Sequence, residues 1–166
     1  MAYRAFTSYV NDDTFKGPNG VGIWEGVTFT ESVVGTHTGT VVIPANTLVL
    51  EIILINTVLW DAGTAATGIV GDDDDADGYF TGVNMKATDL LVGESLRMSN
   101  SEYWGGKQGA YLTAASGTNS AQWYATANNI IGVVTTTGTA GSAGRSRMFV
   151  NYLTFDQWVA STNVAS

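Results

Sequence analysis

The chain contains no cysteine. That excludes a disulfide framework, thiolate zinc sites and thiol nucleophiles. It has one histidine, His37, so a histidine-rich metal site is excluded and a Ser-His-Asp triad has a single candidate base. Only 7 residues are basic against 15 acidic, for a net charge of −8. Phosphate recognition needs clustered Lys and Arg, which removes nucleic acid as a partner. An anionic membrane surface is removed for the same reason. Charged residues make up 13% of the chain, against ~25% in ordinary soluble domains. The surface must therefore be built from Thr, Ser, Asn and Gly, or be covered by partners. The most apolar stretch, Thr47 to Trp60, is interrupted by Glu51 and Asn56. It is shorter than the ~20 residues of a membrane-spanning helix. The opening residues, Met1 to Phe6, lack the apolar run of a signal peptide, so the expectation is a protein made and used without secretion.

What is present favours strands. Val, Ile and Thr (17, 8 and 22 residues) far outnumber the good helix formers Leu, Lys, Glu, Arg, Met and Gln. β-branched side chains suit a pleated, half-buried surface. Twenty glycines supply turns. The length of 166 residues suits one domain, 1–166. Apolar alternation places strands at Val21–Glu31, Gly35–Ile43, Leu48–Leu54, Thr67–Val70, Ala110–Thr113, Gln122–Ala125, Ile130–Thr137 and Arg147–Thr154. Thr88 is positioned to cap one helical turn. Residues 1–12 read as an extended strand or arm, with Tyr3 and Tyr9 on one face and Phe6 on the other. The fold class expected is all-β, a two-sheet, jelly-roll-like sandwich with long loops and at most one or two short helical turns.

The strand from Leu48 is apolar on both faces. Strict alternation puts Leu48, Leu50, Ile52 and Leu54 on one side and Val49, Glu51, Ile53 and Ile55 on the other. In a sandwich one face of each strand normally meets solvent. The second face therefore asks for cover, from another subunit or from a loop of the same chain near Trp104. The arm aromatics Tyr3, Phe6 and Tyr9 are of the kind that anchor interfaces.

The sharpest local motif is Asp73-x-Asp75-x-Asp77-Gly78, the spacing that opens many calcium loops. An EF-hand proper is excluded, because Asn84 stands where its bidentate Glu belongs. The run reads first as a solvated acidic turn; a calcium ion held by Asp73, Asp75 and Asp77 is the alternative, and no other cofactor is expected. His37 lies between Thr36 and Thr38, with no Gly-x-Ser-x-Gly elbow to present a nucleophile. It reads as an exposed or hydrogen-bonded strand residue. Glu25, Glu31, Glu51, Glu94 and Glu102 are scattered without glycosidase spacing. The expectation is that the chain is not an enzyme. Tyr103, Trp104, Trp123 and Tyr124 suit core or subunit contacts, with sugar stacking as the second use.

Several segments resemble small virion structural proteins of tailed bacteriophages. They are Gly39-Thr40-Val41-Val42-Ile43-Pro44-Ala45-Asn46-Thr47-Leu48-Val49-Leu50-Glu51, then Asn56-Thr57, Asp61-Ala62-Gly63-Thr64, Thr67-Gly68-Ile69-Val70-Gly71-Asp72 and Asp77-Gly78-Tyr79-Phe80. The resemblance spans residues 39–81 roughly. It implies a capsid decoration (cement) protein, commonly a trimeric β-sandwich, seated on the major capsid protein of the virion. On that reading the chain is made in the host cytoplasm and stabilises the head shell. The competing class is a carbohydrate-binding β-sandwich, or a tail or fibre protein that recognises host glycans.

Overall fold

The computed structural model describes residues 15–16, 22–86, 88–99, 105–113 and 122–155. Ten strands and one helical turn follow in chain order: β1 (Phe15–Lys16), β2 (Ile23–Thr30), β3 (Gly35–Ile43), β4 (Thr47–Val58), β5 (Ala65–Gly71), β6 (Phe80–Asn84), β7 (Ser95–Arg97), α1 (Ala110–Thr113), β8 (Gln122–Tyr124), β9 (Asn128–Thr137) and β10 (Arg145–Thr154). One sheet runs β1-β2-β10-β4-β7, with β8 also beside β4; the other runs β3-β9-β5-β6. All pairings between these strands are antiparallel. β8 pairs with Thr47–Val49 and β7 with Ile53–Ile55, so the two share one side of β4. The early strand β2 pairs with the last, β10, and β3 pairs with β9. This wrapping of the two ends of the chain around each other is the jelly-roll topology, and it bears out the expected all-β sandwich.

Alternation explains most inward faces. In β2, Ile23, Val27 and Phe29 pack on the core, as the period-2 reading expects. In β3, His37, Gly39, Val41 and Ile43 turn inward while Thr36, Thr38, Thr40 and Val42 are exposed. Gly39 is required by this packing: a Cβ there would sit 2.6 Å from Phe29 Cδ1. The core joins Phe29, Ile43, Ile52, Leu54, Trp60, Phe80, Leu96, Ile130 and Met148.

Strict alternation fails on β4. Its register against β10 shifts between Asn151 and Tyr152: Asn151 faces Glu51 and Tyr152 faces Val49, leaving Leu50 without an opposite. The extra residue is a β-bulge, which reverses the side-chain phase. Thr47, Val49, Ile52, Leu54 and Asn56 therefore all face the core. Val49, expected on the partner face with Ile53 and Ile55, is wholly buried inside the chain.

Several further elements depart from expectation. Ala110–Thr113 is a helical turn, because Tyr111 and Leu112 both point inward, which neighbouring strand residues do not do. No helix forms at Thr88–Leu91; the Asp89 carboxylate accepts the Asn84 amide and Asn84 Oδ1 accepts that of Lys86. β6 and β7 were not foreseen, being short and weakly alternating.

Candidate functional site

The acidic segment connects β5 to β6 and folds against α1 and β8. Glycine makes the approach possible. A Cβ on Gly71 would lie 1.9 Å from the Asp75 carbonyl oxygen, and one on Gly109 would lie 1.9 Å from that of Asp77. The Asp72 amide donates to Asp75 O at 2.9 Å, and Gly78 N donates to the same oxygen at 3.1 Å.

Asp72, 4% exposed, is the hub. Its Oδ1 accepts the amides of Asp74 and Asp75, both at 2.9 Å, and the Tyr111 hydroxyl at 2.9 Å. Its Oδ2 accepts the Tyr124 hydroxyl at 2.6 Å. Tyr124 gives its proton to Asp72, so the Tyr79 hydroxyl, 2.6 Å away, donates to Tyr124. Tyr79 also meets the edge of the Tyr111 ring, centroids 5.2 Å apart. β5 belongs to one sheet and β8 to the other, so this carboxylate ties the two sheets together at one end of the sandwich. Burial, then the neighbouring Asp72 and tyrosine groups, pushes the Tyr79, Tyr111 and Tyr124 hydroxyls well above the ordinary phenol range. Asp72 lies outside the Asp73-x-Asp75-x-Asp77 spacing, and sequence reasoning missed these tyrosines as its partners. The bonds span 39 and 52 residues, and no local pattern announces them.

The three carboxylates of the calcium motif accept hydrogen bonds from different groups. Asp73 Oδ2 accepts the Asn129 amide and side-chain nitrogen, at 3.2 and 2.8 Å. Asp75 Oδ1 accepts the Asp77 amide at 3.4 Å, and Asp77 Oδ2 accepts the Thr81 hydroxyl at 2.6 Å. Among the described residues no group of three His, Cys, Asp or Glu side chains is placed to hold a metal ion.

The opposite end is closed by polar side chains. Asp61 accepts the Ser142 and Ala143 amides, at 2.8 and 3.0 Å, and the Ser142 hydroxyl at 3.0 Å. The Ala143 amide leads in holding this carboxyl below its usual range. Buried Glu31 accepts the amides of Asp61 and Gly141. Trp60 Nε1 donates to Ser146 Oγ at 2.8 Å, which donates to Asn56 Oδ1 at 2.6 Å. His37 is buried, not exposed; its ring meets Trp60 edge-on at 5.0 Å, and Nε2 lies 3.4 Å from Thr136 Oγ1. Its hydrogen-bonded alternative is the one found. Among the described residues no carboxylate is hydrogen-bonded to this imidazole in the way a general base is oriented.

A cleft of about 350 Å³ lies along β5 and β6, lined by Thr64, Thr67, Asn84, Lys86, Asp89 and Lys107 among others. Its charges are already satisfied. Lys107 Nζ pairs with Asp89 at 2.8 Å and donates to Gly82 O at 2.6 Å, while Lys86 Nζ donates to Ala62 O. Burial opposes ionisation of Asp89, but Lys107 and the Asn84 amide prevail and lower its pKa.

Of the expected interface residues, Tyr3, Phe6 and Tyr9 lie outside the described residues, as do Tyr103 and Trp104. On the outer side of β4, Ile53 is 8% exposed, and Glu51 and Ile55 are half-buried. Glu51 Oε1 accepts the Met98 amide at 2.8 Å. A neighbour on this face comes from β10. The Phe149 ring, opposite Ile53, lies across Gly26, and the Arg147 guanidinium sits 4.7 Å from its centroid. Ile53 is thus already buried within the chain. Of the described aromatics proposed for sugar stacking, Trp123 is half exposed beside Phe155, and Tyr124 is committed to Asp72.

The fold has a counterpart among solved structures. A chain of the structure titled "Cyanophage Pam1 capsid asymmetric unit" aligns with 93% of this chain and 99% of its own length, at a TM-score of 0.51 and 18% identity. At that identity the likeness is one of fold. No protein-family model matches the sequence, and no curated protein matches it.

Proposed function

We propose that this chain is a structural protein of a bacteriophage virion. In the finer form of the proposal it is a decoration (cement) protein. It binds the major capsid protein on the outer face of the head as a homotrimer, after synthesis in the host cytoplasm. The observation that carries the reading is the near full-length likeness to a chain of a cyanophage capsid asymmetric unit. It agrees with the resemblance of residues 39–81 to phage virion proteins. Chemistry points the same way: the buried polar groups are used to tie loops together, and the described histidine lacks the partners of a general base.

The mechanism is linkage. Contacts formed only on the assembled shell stabilise that shell over its released subunits, by an amount that grows with occupancy. Heating particles with and without the chain tests this. Particles lacking it should release DNA at a lower temperature, and adding the purified chain back should restore the difference. Identical release temperatures, with no uptake of added protein, would contradict the proposal. Uptake confined to the tail would favour the glycan-recognising tail or fibre reading.

A further inference from the structure

Two of the chain's three lysines, Lys86 and Lys107, line the cleft along β5 and β6. Each has a partner in the protein: Lys86 Nζ donates to Ala62 O, and Lys107 Nζ to Gly82 O and Asp89. These bonds order both side chains in advance, so a ligand meets ammonium groups already in place. The partners do not balance in charge. Asp89 offsets one lysine, whereas a carbonyl fixes the other and leaves its charge whole. Among the described residues no other charged side chain lines the cleft. Asp61, beside Ala62, is turned to Ser142 and Ala143. On a chain of net charge −8 this is a locally cationic spot. The Lys107 and Asp89 side chains are 23% and 22% exposed, so water screens them less than open surface charges.

Hydrogen-bonding capacity tells the same story. An ammonium has three N–H donors. Among the described residues Lys86 spends one and Lys107 two. Asn84 spends Oδ1 on the Lys86 amide and keeps its Nδ2 donors. The cleft is thus richer in donors than in acceptors, which suits an anion. Thr64, Thr67 and Thr88 are exposed along it and add hydroxyls that both give and accept. Ala65 and Ala66 are its only apolar side chains, and no aromatic lines it. Peptide side chains and nucleobases would lack the apolar or stacking surface they need. The volume of about 350 Å³ is near the lower bound of ligand pockets, which suits one ring rather than several.

We infer that this cleft binds one carboxylate-bearing sugar, a uronic acid residue. Its carboxylate accepts from the Lys86 and Lys107 ammoniums, and its hydroxyls exchange hydrogen bonds with Asn84 and the threonines. A sugar phosphate suits the cleft less: it is close to dianionic at pH 7, which exceeds the single surplus positive charge beside Asp89. The site is distinct from the aromatics considered for sugar stacking. The inference does not depend on where the chain sits in a virion.

Calorimetric titration of the full chain with methyl glucuronide, methyl glucoside, acetate and glucose 6-phosphate tests this. The glucuronide should bind at least ~10-fold more tightly than the glucoside, the worth of one charge-assisted hydrogen bond. Lys86→Gln keeps a donor for Ala62 O but removes the charge. It should weaken glucuronide binding ~10-fold and leave the glucoside unchanged. Thr67→Glu, exposed on β5 opposite Asn84, sets a carboxylate at the rim and should abolish glucuronide binding with the melting temperature nearly kept. Glucuronide affinity that both variants leave unchanged would overturn the site. Acetate binding as tightly as the glucuronide would overturn the sugar. Tighter binding of glucose 6-phosphate would overturn the carboxylate in favour of a phosphate. No binding by any of the four would overturn the inference and leave the virion reading standing.

Discussion

Replacing Asp72 with alanine should be among the most damaging changes to this protein that leave its apolar core untouched. Asp72 accepts two amides and two phenol hydroxyls. Hydrogen bonds to a charged group contribute ~1.5–3 kcal/mol each, and donors left unpaired in buried surroundings cost ~1–3 kcal/mol. Returning the carboxylate to water in the unfolded chain offsets part of this. The two phenol bonds dominate, since the amides lie near the surface and water can replace Asp72 there. The net loss is ~3–5 kcal/mol. For a domain of this size 1 kcal/mol moves the melting temperature by ~2–4 °C, so Asp72→Ala should lower it by ~6–20 °C. Tyr124→Phe removes one charge-assisted bond and should cost ~1.5–3 kcal/mol. The double variant should cost less than the sum of the two, because both changes break the same bond. Thermal unfolding followed by circular dichroism, with exposed Asp74→Ala as reference, measures this. An Asp72→Ala chain no less stable than Asp74→Ala would refute the view that this carboxylate ties the sheets together.

Alkaline stability follows from the same tyrosines and from Tyr152, whose hydroxyl donates to Glu25 at 2.6 Å. Burial raises the folded pKa of Tyr79, Tyr111, Tyr124 and Tyr152 above the unfolded value of 10.0. The unfolded chain then loses protons that the folded chain keeps, so their contribution is whole below about pH 10 and falls as pH rises beyond it. Phenolate absorbance should appear together with unfolding; reversible titration of all seven tyrosines near pH 10 in a folded chain would contradict this. Gly71→Ala places a methyl 1.9 Å from the Asp75 carbonyl oxygen and should destabilise by more than 2 kcal/mol, ~2–5 kcal/mol by analogy with severe overpacking, as urea midpoints will show. The separately bonded Asp73, Asp75 and Asp77 predict equal melting temperatures in millimolar calcium and in chelator. A calcium-dependent rise that Asp75→Ala abolishes would show that the loop rearranges around an ion.

Period-2 alternation made the architecture legible where one face is polar, as in β2 and β3. It failed on β4, where hydrophobicity on both faces leaves the phase undetermined and a single extra residue at Leu50 resets it. Val49 passed from the outer face to the core by that one step. It failed again at Tyr111 and Leu112, whose small neighbours suit a strand as well as a helical turn. The acidic loop was visible as a charge run, and its carboxylate spacing suggested an ion. Its organising residue was invisible, because Asp72 is defined by hydroxyls brought in from α1 and β8. A buried carboxylate surrounded by donors and a solvated one read alike in sequence; only tertiary pairing separates them.

Cryo-electron microscopy of purified particles tests the proposed place on the phage head most directly. Maps of particles carrying this chain, minus maps of particles lacking it, should show jelly-roll density on the outside of the shell, in groups of three. Superimposable shells, with the chain absent from the particles or found only on the tail, would contradict it.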